Sequence, residues 1–207
     1  MTESVLIYFL FVLTIVRLLL FLEPASIRSL EPLRKTKLKD ILDAIVWAGV
    51  VALMLIHFVV RSFYIPSESM LPTLQVNDFI LVNEFIYDFT DPVRGDVVVF
   101  HPPPTYTGPN SDLIKRVVAV EHDVVEIADG KLLLNGVEIE EPFLAEPMRG
   151  NFSPTVVKEG HIFVLGDNRN SSRDSRMIGQ IPTQELVGRA VLIFFPPRRI
   201  SRLNRVE

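Results

Sequence analysis

The sequence predicts a mainly β domain preceded by two membrane-spanning helices, and three observations carry that prediction. Apolar residues collect in two long runs within the first 60 positions. Short runs rich in Val, Ile and Phe follow, punctuated by Pro, Gly, Asn and Asp. No segment beyond residue 62 sustains a helical period.

The first run, SVLIYFLFVLTIVRLLLFL at residues 4–22, holds 19 residues and one charge, Arg17. The second, AIVWAGVVALMLIHFVV at 44–60, holds no formal charge. A helix crosses a bilayer core with about 20 apolar residues. Core helices of a small soluble domain keep a polar face, and neither run has one. Helices over about 4–22 and 43–62 are therefore expected. The first reads as retained rather than as a cleaved leader, because Glu3 and no Lys or Arg precede it and no small-x-small site follows. Between the runs, EPASIRSLEPLRKTKLKD carries Arg28, Arg34, Lys35, Lys37 and Lys39, and short basic loops stay cytoplasmic. The chain thus divides into a membrane anchor over 1–62, with cytoplasmic loop 23–42, and an extracytoplasmic domain over 63–207.

Residues 1–62 hold 7 basic and 5 acidic side chains, a net of +2, and the rest hold 14 and 20, a net of −6, together the −4 of the whole chain. An acidic external domain argues against nucleic acid as a partner. The chain has no cysteine, which excludes disulfide staples, thiol catalysis and thiolate metal sites.

Beyond the anchor, DFILVNE, GDVVVFH, DLIKRVVAVE, DVVEI, KLLLNGVEI, HIFVLGD and GRAVLIFF are strand candidates. Asp129-Gly130 and Asn135-Gly136 carry the signature of two-residue hairpin turns. Residues 124–160 accordingly form a small hairpin-rich insertion. HPPPTYTGPNSD is a Pro-rich loop, LVGRAVLIFFPP is too short to span and is interrupted by Arg189, and the basic end RRISRLNR reads as solvated.

Three polar clusters interrupt this apolar background. PSESM holds Ser67 and Ser69, DLIKRVV sets Lys115 in an apolar strand pattern, and GDNRNSSRDSR at 166–176 follows the strand HIFVL. Singly, each has a plain structural reading: turn formers beside Pro66, an edge-strand charge that blocks aggregation, a surface turn tied by Asp174 and Arg176. Together they admit another. A serine hydroxyl is a poor nucleophile until a base takes its proton. The four histidines are poor candidates for that base: His57 lies in an apolar run, His101 opens the Pro-rich loop, and His122 and His161 flank strand ends. There is no Gly-x-Ser-x-Gly elbow and no His-Glu-x-x-His zinc motif. A lysine can replace histidine when burial disfavours its charge. Lys115, between Ile114 and Val117-Val118, is placed for that burial.

IPSESMLPTL, RGDVVVF, DLIKRVV and GDNRNSSRDSR occur in that order after the two apolar runs. With them the chain resembles the bacterial type I signal peptidases, membrane-bound serine proteases that remove signal peptides from exported proteins. The resemblance extends to about residue 195. It implies a barrel-like β catalytic core with a β-ribbon insertion, Ser69 as nucleophile and Lys115 as general base. It places Ser67 with the Ser69 N–H in an oxyanion hole, Ser172 as the residue that orients the lysine amine, and Gly166, Asn168, Asp174 and Arg176 as loop supports. Phe63, Ile65, Met70, Leu74, Val99 and Ile114 match positions lining shallow pockets for small side chains such as alanine. No cofactor and no metal are implied. The implied partners are secreted preproteins, the lipid bilayer and, by proximity, the translocation machinery. The implied location is the plasma membrane, multi-pass, with the catalytic domain outside. There SFYI can dip into the lipid surface, and Pro66 and Pro72 restrict the backbone around Ser69.

Two other classes compete. A self-cleaving Ser-Lys repressor would lack spanning helices, whereas a pilus-processing Ser-Lys peptidase would differ in its specificity, which the sequence does not spell out. A catalytically silent membrane-anchored scaffold would have lost Ser69 or Lys115, and both are present. The chain departs from the family after the lysine strand, where the usual Gly-Leu-Pro-Gly-Asp is AVEHD at 119–123.

Reporter fusions test the expected topology. A fusion at residue 38 should read as cytoplasmic and one at residue 100 as external; an external signal at 38 would overturn the arrangement.

Overall fold

The computed structural model describes residues 40, 41, 43–49, 60–108 and 111–203. The expected first helix and nearly all of the basic loop fall outside those residues. Of the expected second helix, residues 43–49 are helical, and among the described residues no helix is long and apolar enough to cross a membrane. Its expected end at residue 62 is corrected. Val60 already opens strand β1 (Val60–Tyr64), which pairs antiparallel with β2 (Phe79–Asn83) from Val60↔Asn83 to Tyr64↔Phe79. A β-branched residue at 60 and aromatics at 63 and 64 suit a pleated surface. The chain divides into two units at the same place, 1–59 and 60–207.

The second unit is mainly β, as the strand pattern predicts. The further strands are β3 (Val97–Phe100), β4 (Leu113–Ala119), β5 (Val124–Ala128), β6 (Lys131–Leu134), β7 (Val137–Glu138) and β8 (Phe152–Val156). After them come β9 (His161–Leu165), β10 (Ile181–Pro182), β11 (Leu186–Phe195) and β12 (Ser201–Arg202). Eight of them make a curled sheet in the order β1-β2-β11-β3-β4-β9-β10, with β12 paired to β11; the other four make a small sheet, β7-β6-β5-β8. Strand β11 curls the large sheet. Its register slips twice against β2 and once against β3, and such bulges bend a strand and add twist. At Gly188 in this strand an added Cβ would collide with the Asn83 carbonyl of β2, so the close approach depends on the missing side chain.

Three apolar clusters hold the layers. Ile65, Met70, Leu74, Ile80 and Val99 pack under the first strands. Val118, Val125, Leu132, Phe163 and Leu165 join the small sheet to β4 and β9. Val98, Phe100, Val117, Ile162 and Val164 fill the space behind β3 and β4.

Both hairpin turns form as their sequences predict. Asp129 and Gly130 have φ of 51° and 77°, Asn135 and Gly136 53° and 80°, and two consecutive positive φ values define the turn that matches strand twist. The AVEHD segment is also a tight turn. His122 adopts φ 70° at the position where the family carries glycine, and histidine is among the few side chains that tolerate it. Asp123 closes the turn: its N–H donates to Val120 O at 3.1 Å and its buried carboxylate accepts the Val120 N–H at 2.9 Å. The same carboxylate accepts from Asn135 Nδ2 at 3.0 Å and from two nitrogens of Arg94, Nε at 2.9 Å. Burial alone would raise the Asp123 pKa; the hydrogen bonds from Arg94, Val120 and Asn135 outweigh it and hold the carboxyl below its usual range.

The basic end is not merely solvated. Arg199 donates to both oxygens of buried Asp78, at 2.8 and 2.9 Å, and to Thr73 O at 3.2 Å. The chain end is thereby fastened to the segment that follows β1.

Replacing Asp123 by Ala should cost about 2–4 kcal/mol at pH 7, since several charge-assisted hydrogen bonds go at once. A lowered urea midpoint of the purified chain in detergent would show it. Because the folded pKa is depressed, this contribution is full above the unfolded carboxyl value of about 3.9 and fades as pH falls through the lower folded value. The gap between wild type and Asp123→Ala should therefore narrow below about pH 4.

Candidate active site

Ser69 is carried by a turn whose two ends are clamped. The Ile65 N–H donates to Asp78 O at 2.9 Å and the Asn77 N–H to Ile65 O at 3.0 Å, closing the loop that follows β1. Inside it, Leu71 N–H donates to Glu68 O at 3.1 Å and Leu74 N–H to Met70 O at 2.9 Å. Met70 and Leu74 are fully buried and anchor the turn, leaving Ser69 at 8% exposure beside them. Among the described residues the Ser69 N–H makes no hydrogen bond.

Lys115 comes from β4, an interior strand between β3 and β9, opposite Val98. That placement removes the edge-strand reading. Its Nζ donates to Ser69 Oγ at 2.8 Å and to Ile114 O at 2.7 Å, and the residue is 4% exposed. Burial lowers the amine pKa from 10.5 to about 8, against the opposing pull of the Asp174 and Asp167 charges. An unperturbed lysine is neutral in only about one molecule in several thousand at pH 7. At a pKa of about 8 the neutral fraction becomes roughly a tenth. Ser67 Oγ lies 3.3 Å from Ser69 Oγ, at the exposed side of the pair.

The loop 166–176 is far from a plain surface turn, since Asp167, Arg169, Asp174 and Ser175 are all buried. Asp174 accepts the Gly166 N–H at 3.1 Å and binds the Arg176 guanidinium through two contacts of 2.8 Å. Arg176 also donates to Arg169 O at 2.5 Å. Asn168 holds the Ser69 turn, its N–H donating to Ser69 O at 3.0 Å and its Nδ2 to Glu68 O at 3.1 Å. Gly166 has no room for a side chain: a Cβ would collide with Ser172 and stand 2.5 Å from Ser69 O.

Two expectations meet a different geometry. Ser172 lies at the site, yet its buried hydroxyl has no hydrogen-bond partner, so the implied contact to the lysine amine is not made in this structure. Nζ instead donates to Ser69 and to the Ile114 carbonyl. The residues assigned to substrate pockets are packed against one another as core. Ile65, Met70, Leu74, Val99 and Ile114 are each at most 9% exposed, and Phe63 packs on them. They form the apolar floor next to the Ser69–Lys115 pair.

Sequence reasoning missed the ion pair that fastens the three segments together. Arg116, next to Lys115, donates to Asp167 through Nε at 2.8 Å and Nη2 at 2.6 Å, and to Gly95 O at 3.0 Å. Thr73 of the Ser69 turn donates to the same carboxylate at 2.5 Å. The available signal was a second cation in an otherwise apolar interior strand.

The sequence also resembles that of known proteins. The family profile described as signal peptidase, peptidase S26, matches residues 38–195. A signal peptidase I of Leptolyngbya laminosa is 39% identical over 185 residues, covering 87% of this chain and 91% of that protein. A probable thylakoidal processing peptidase of Arabidopsis thaliana is 42% identical over 147 residues, 69% of this chain and 40% of that protein. A crystal structure of a signal peptidase I from Enterococcus faecalis is 30% identical, covers 48% of this chain and 97% of its own, and has a TM-score of 0.43.

Carrying a buried ammonium destabilises the fold. The depression from 10.5 to about 8, at about 1.4 kcal/mol per pKa unit, corresponds to about 3–4 kcal/mol below pH 8. Lys115→Met should therefore raise stability by up to that amount at pH 7. The advantage should shrink between pH 8 and 10.5, because there the unfolded chain binds the proton that the folded one has released and wild-type stability climbs. Denaturant titrations of both proteins across that range read the effect.

Proposed function

The chain belongs to the signal peptidase family, peptidase S26, and from that premise we propose that it removes signal peptides from preproteins with Ser69 as nucleophile and Lys115 as general base. The observation that carries the reading is the 2.8 Å contact between a buried amine and a buried serine hydroxyl. The neutral Lys115 amine takes the hydroxyl proton as Ser69 Oγ attacks the scissile carbonyl. Negative charge then develops on the carbonyl oxygen, where the Ser69 N–H and the Ser67 hydroxyl supply donors. Lys115, now an ammonium, returns its proton to the departing amine of the mature protein and leaves an acyl-enzyme on Ser69. Water, deprotonated by the same amine, then attacks that ester, and the ammonium returns the proton to Ser69 Oγ as the acyl–oxygen bond breaks and the signal peptide leaves.

Cleavage after small-x-small sequences is what the family resemblance implies, and the packing beside Ser69 supports it. The apolar floor of Ile65, Met70, Val99 and Ile114 is already filled by its own side chains, so a substrate side chain meets a shallow surface. Relatives named signal peptidase I and thylakoidal processing peptidase support a membrane-associated enzyme. The two apolar runs and the basic loop between them support a multi-pass anchor with residues 63–207 outside the cytoplasm.

The test is incubation of the purified protein in detergent with a preprotein whose signal ends in Ala-x-Ala, followed by the product's mass. One cut after the second alanine is expected, and a large aromatic at either alanine should block it. The rate should rise with pH through about 8, because the base works only when neutral. Ser67→Ala should lower kcat on the order of 100- to 1,000-fold and leave measurable turnover, whereas Ser69→Ala leaves none. Arginine does not deprotonate in proteins, so a folded Lys115→Arg that cleaves at the wild-type rate would end the Ser-Lys assignment.

A further inference from the structure

The small sheet is tied to the catalytic loop by charge held away from water. After β7 the chain runs as an irregular strap over residues 139–150. Glu141 in this strap receives Arg169 in a fork, Nη1 at 2.5 Å and Nη2 at 2.6 Å, with side-chain exposures of 8% and 0%. The third arm of that guanidinium, Nε, donates to Gly166 O at 3.0 Å. Phe143, two residues along, has the Arg116 guanidinium 4.4 Å from its ring centroid and that of Arg169 at 5.9 Å. Farther on, Asn170 Nδ2 donates to Pro147 O at 3.0 Å and the Arg149 N–H to Asn170 Oδ1 at 2.9 Å. Every one of these contacts ends on loop 166–176 or on the arginine beside the base.

A buried guanidinium needs a counter-charge. Arg116 is matched to Asp167 and Arg176 to Asp174, which leaves Glu141 to match Arg169. What Arg169 grips in turn is the Gly166 carbonyl, and Gly166 is the residue packed without clearance between Ser172 and the Ser69 carbonyl. On the strength of the peptidase reading, we infer that Glu141 is a positioning residue for that reaction: through Arg169 it fixes Gly166, and so the spacing between loop 166–176 and the Ser69–Lys115 pair.

The charged groups acting on Lys115 are Asp167 and Asp174 of the loop, each already paired to an arginine; β3 presents Val98, and the nucleophile turn presents Ser69. A loop that drifts from the strand admits water to the amine and weakens the burial that lowers its pKa. In Glu141→Gln the shape is kept and the counter-charge is lost. In the full chain in detergent, kcat at pH 7.5 should fall about tenfold with KM unchanged within twofold. The pH–rate limb should move to more alkaline pH, and most of the rate should return above it. Glu141→Asp, which keeps the charge but shortens the reach, should lie between the two and reads the same way if Glu141→Gln does not fold. The inference is overturned by a folded variant whose kcat, KM and limb match wild type, by a rise in KM alone, or by a loss of rate that alkaline pH does not restore. A readout without substrate separates it from the peptidase reading: the Lys115 amine followed by 15N NMR should titrate at higher pH in Glu141→Gln, and an unmoved midpoint refutes the inference. Wild-type protein that leaves an Ala-x-Ala preprotein uncut would instead count against the peptidase reading alone.

Discussion

Holding the Lys115 ammonium out of water against the Ser69 hydroxyl is the constraint that shapes the rest of the domain. Burial pushes the amine toward its neutral form, while the nearby Asp167 and Asp174 pull it back toward charge. Free carboxylates at those two positions would undo the depression, because opposite charge within a low-dielectric site favours the ammonium strongly. Each carboxylate is therefore occupied by its own guanidinium, Arg116 and Arg176. The arginines do not touch the Ser69 hydroxyl. They keep the acids that organise the loop from holding Lys115 in its charged form.

The same pairs solve a mechanical problem. Ser69 and Lys115 come from elements that are not neighbours in the sheet, a turn after β1 and the interior of β4. Asp167 accepts from Thr73 on the first and Arg116 on the second, so one buried carboxylate spans the two. Asn168, the next residue, holds the carbonyl of Ser69 itself. An apolar core alone would leave that junction free to slide, since hydrophobic contact is not directional. Directional bonds to a single anion fix it, at a desolvation cost that only close geometry offsets.

Much of this was legible in the sequence because it is local. The turns at Asp129-Gly130 and Asn135-Gly136 announce themselves through residues that tolerate positive φ, and the apolar runs from Phe79 to Phe195 mark the long strands. Ser69, Lys115 and the polar loop could be paired through a family resemblance, which also supplied Gly166 and Asn168. What escaped was non-local or short. β1 begins on the last residue of an apolar run, where helix and strand share one composition, so its start at Val60 was invisible. Strands β10 and β12 are two residues each and exist only through their partners. Glu141 and Arg169 sit 28 positions apart, and nothing in either neighbourhood names the other. The implied contact from Ser172 to Lys115 fails for a related reason: residue identity does not fix where an amine directs its hydrogen bonds.

The sheet order has a consequence for when this protein becomes dangerous. The hairpin flanking Ser69 and the strand pair that includes Lys115 do not adjoin; β11, the last long strand of the chain, lies between β2 and β3. Contacts that distant in sequence close late, after local hairpins have formed. A nascent chain therefore exposes its serine and its lysine well before it can align them. On the proposed Ser69–Lys115 mechanism, hydrolytic competence waits for residues 186–195, and a chain stalled short of them carries both side chains without the power to harm its neighbours.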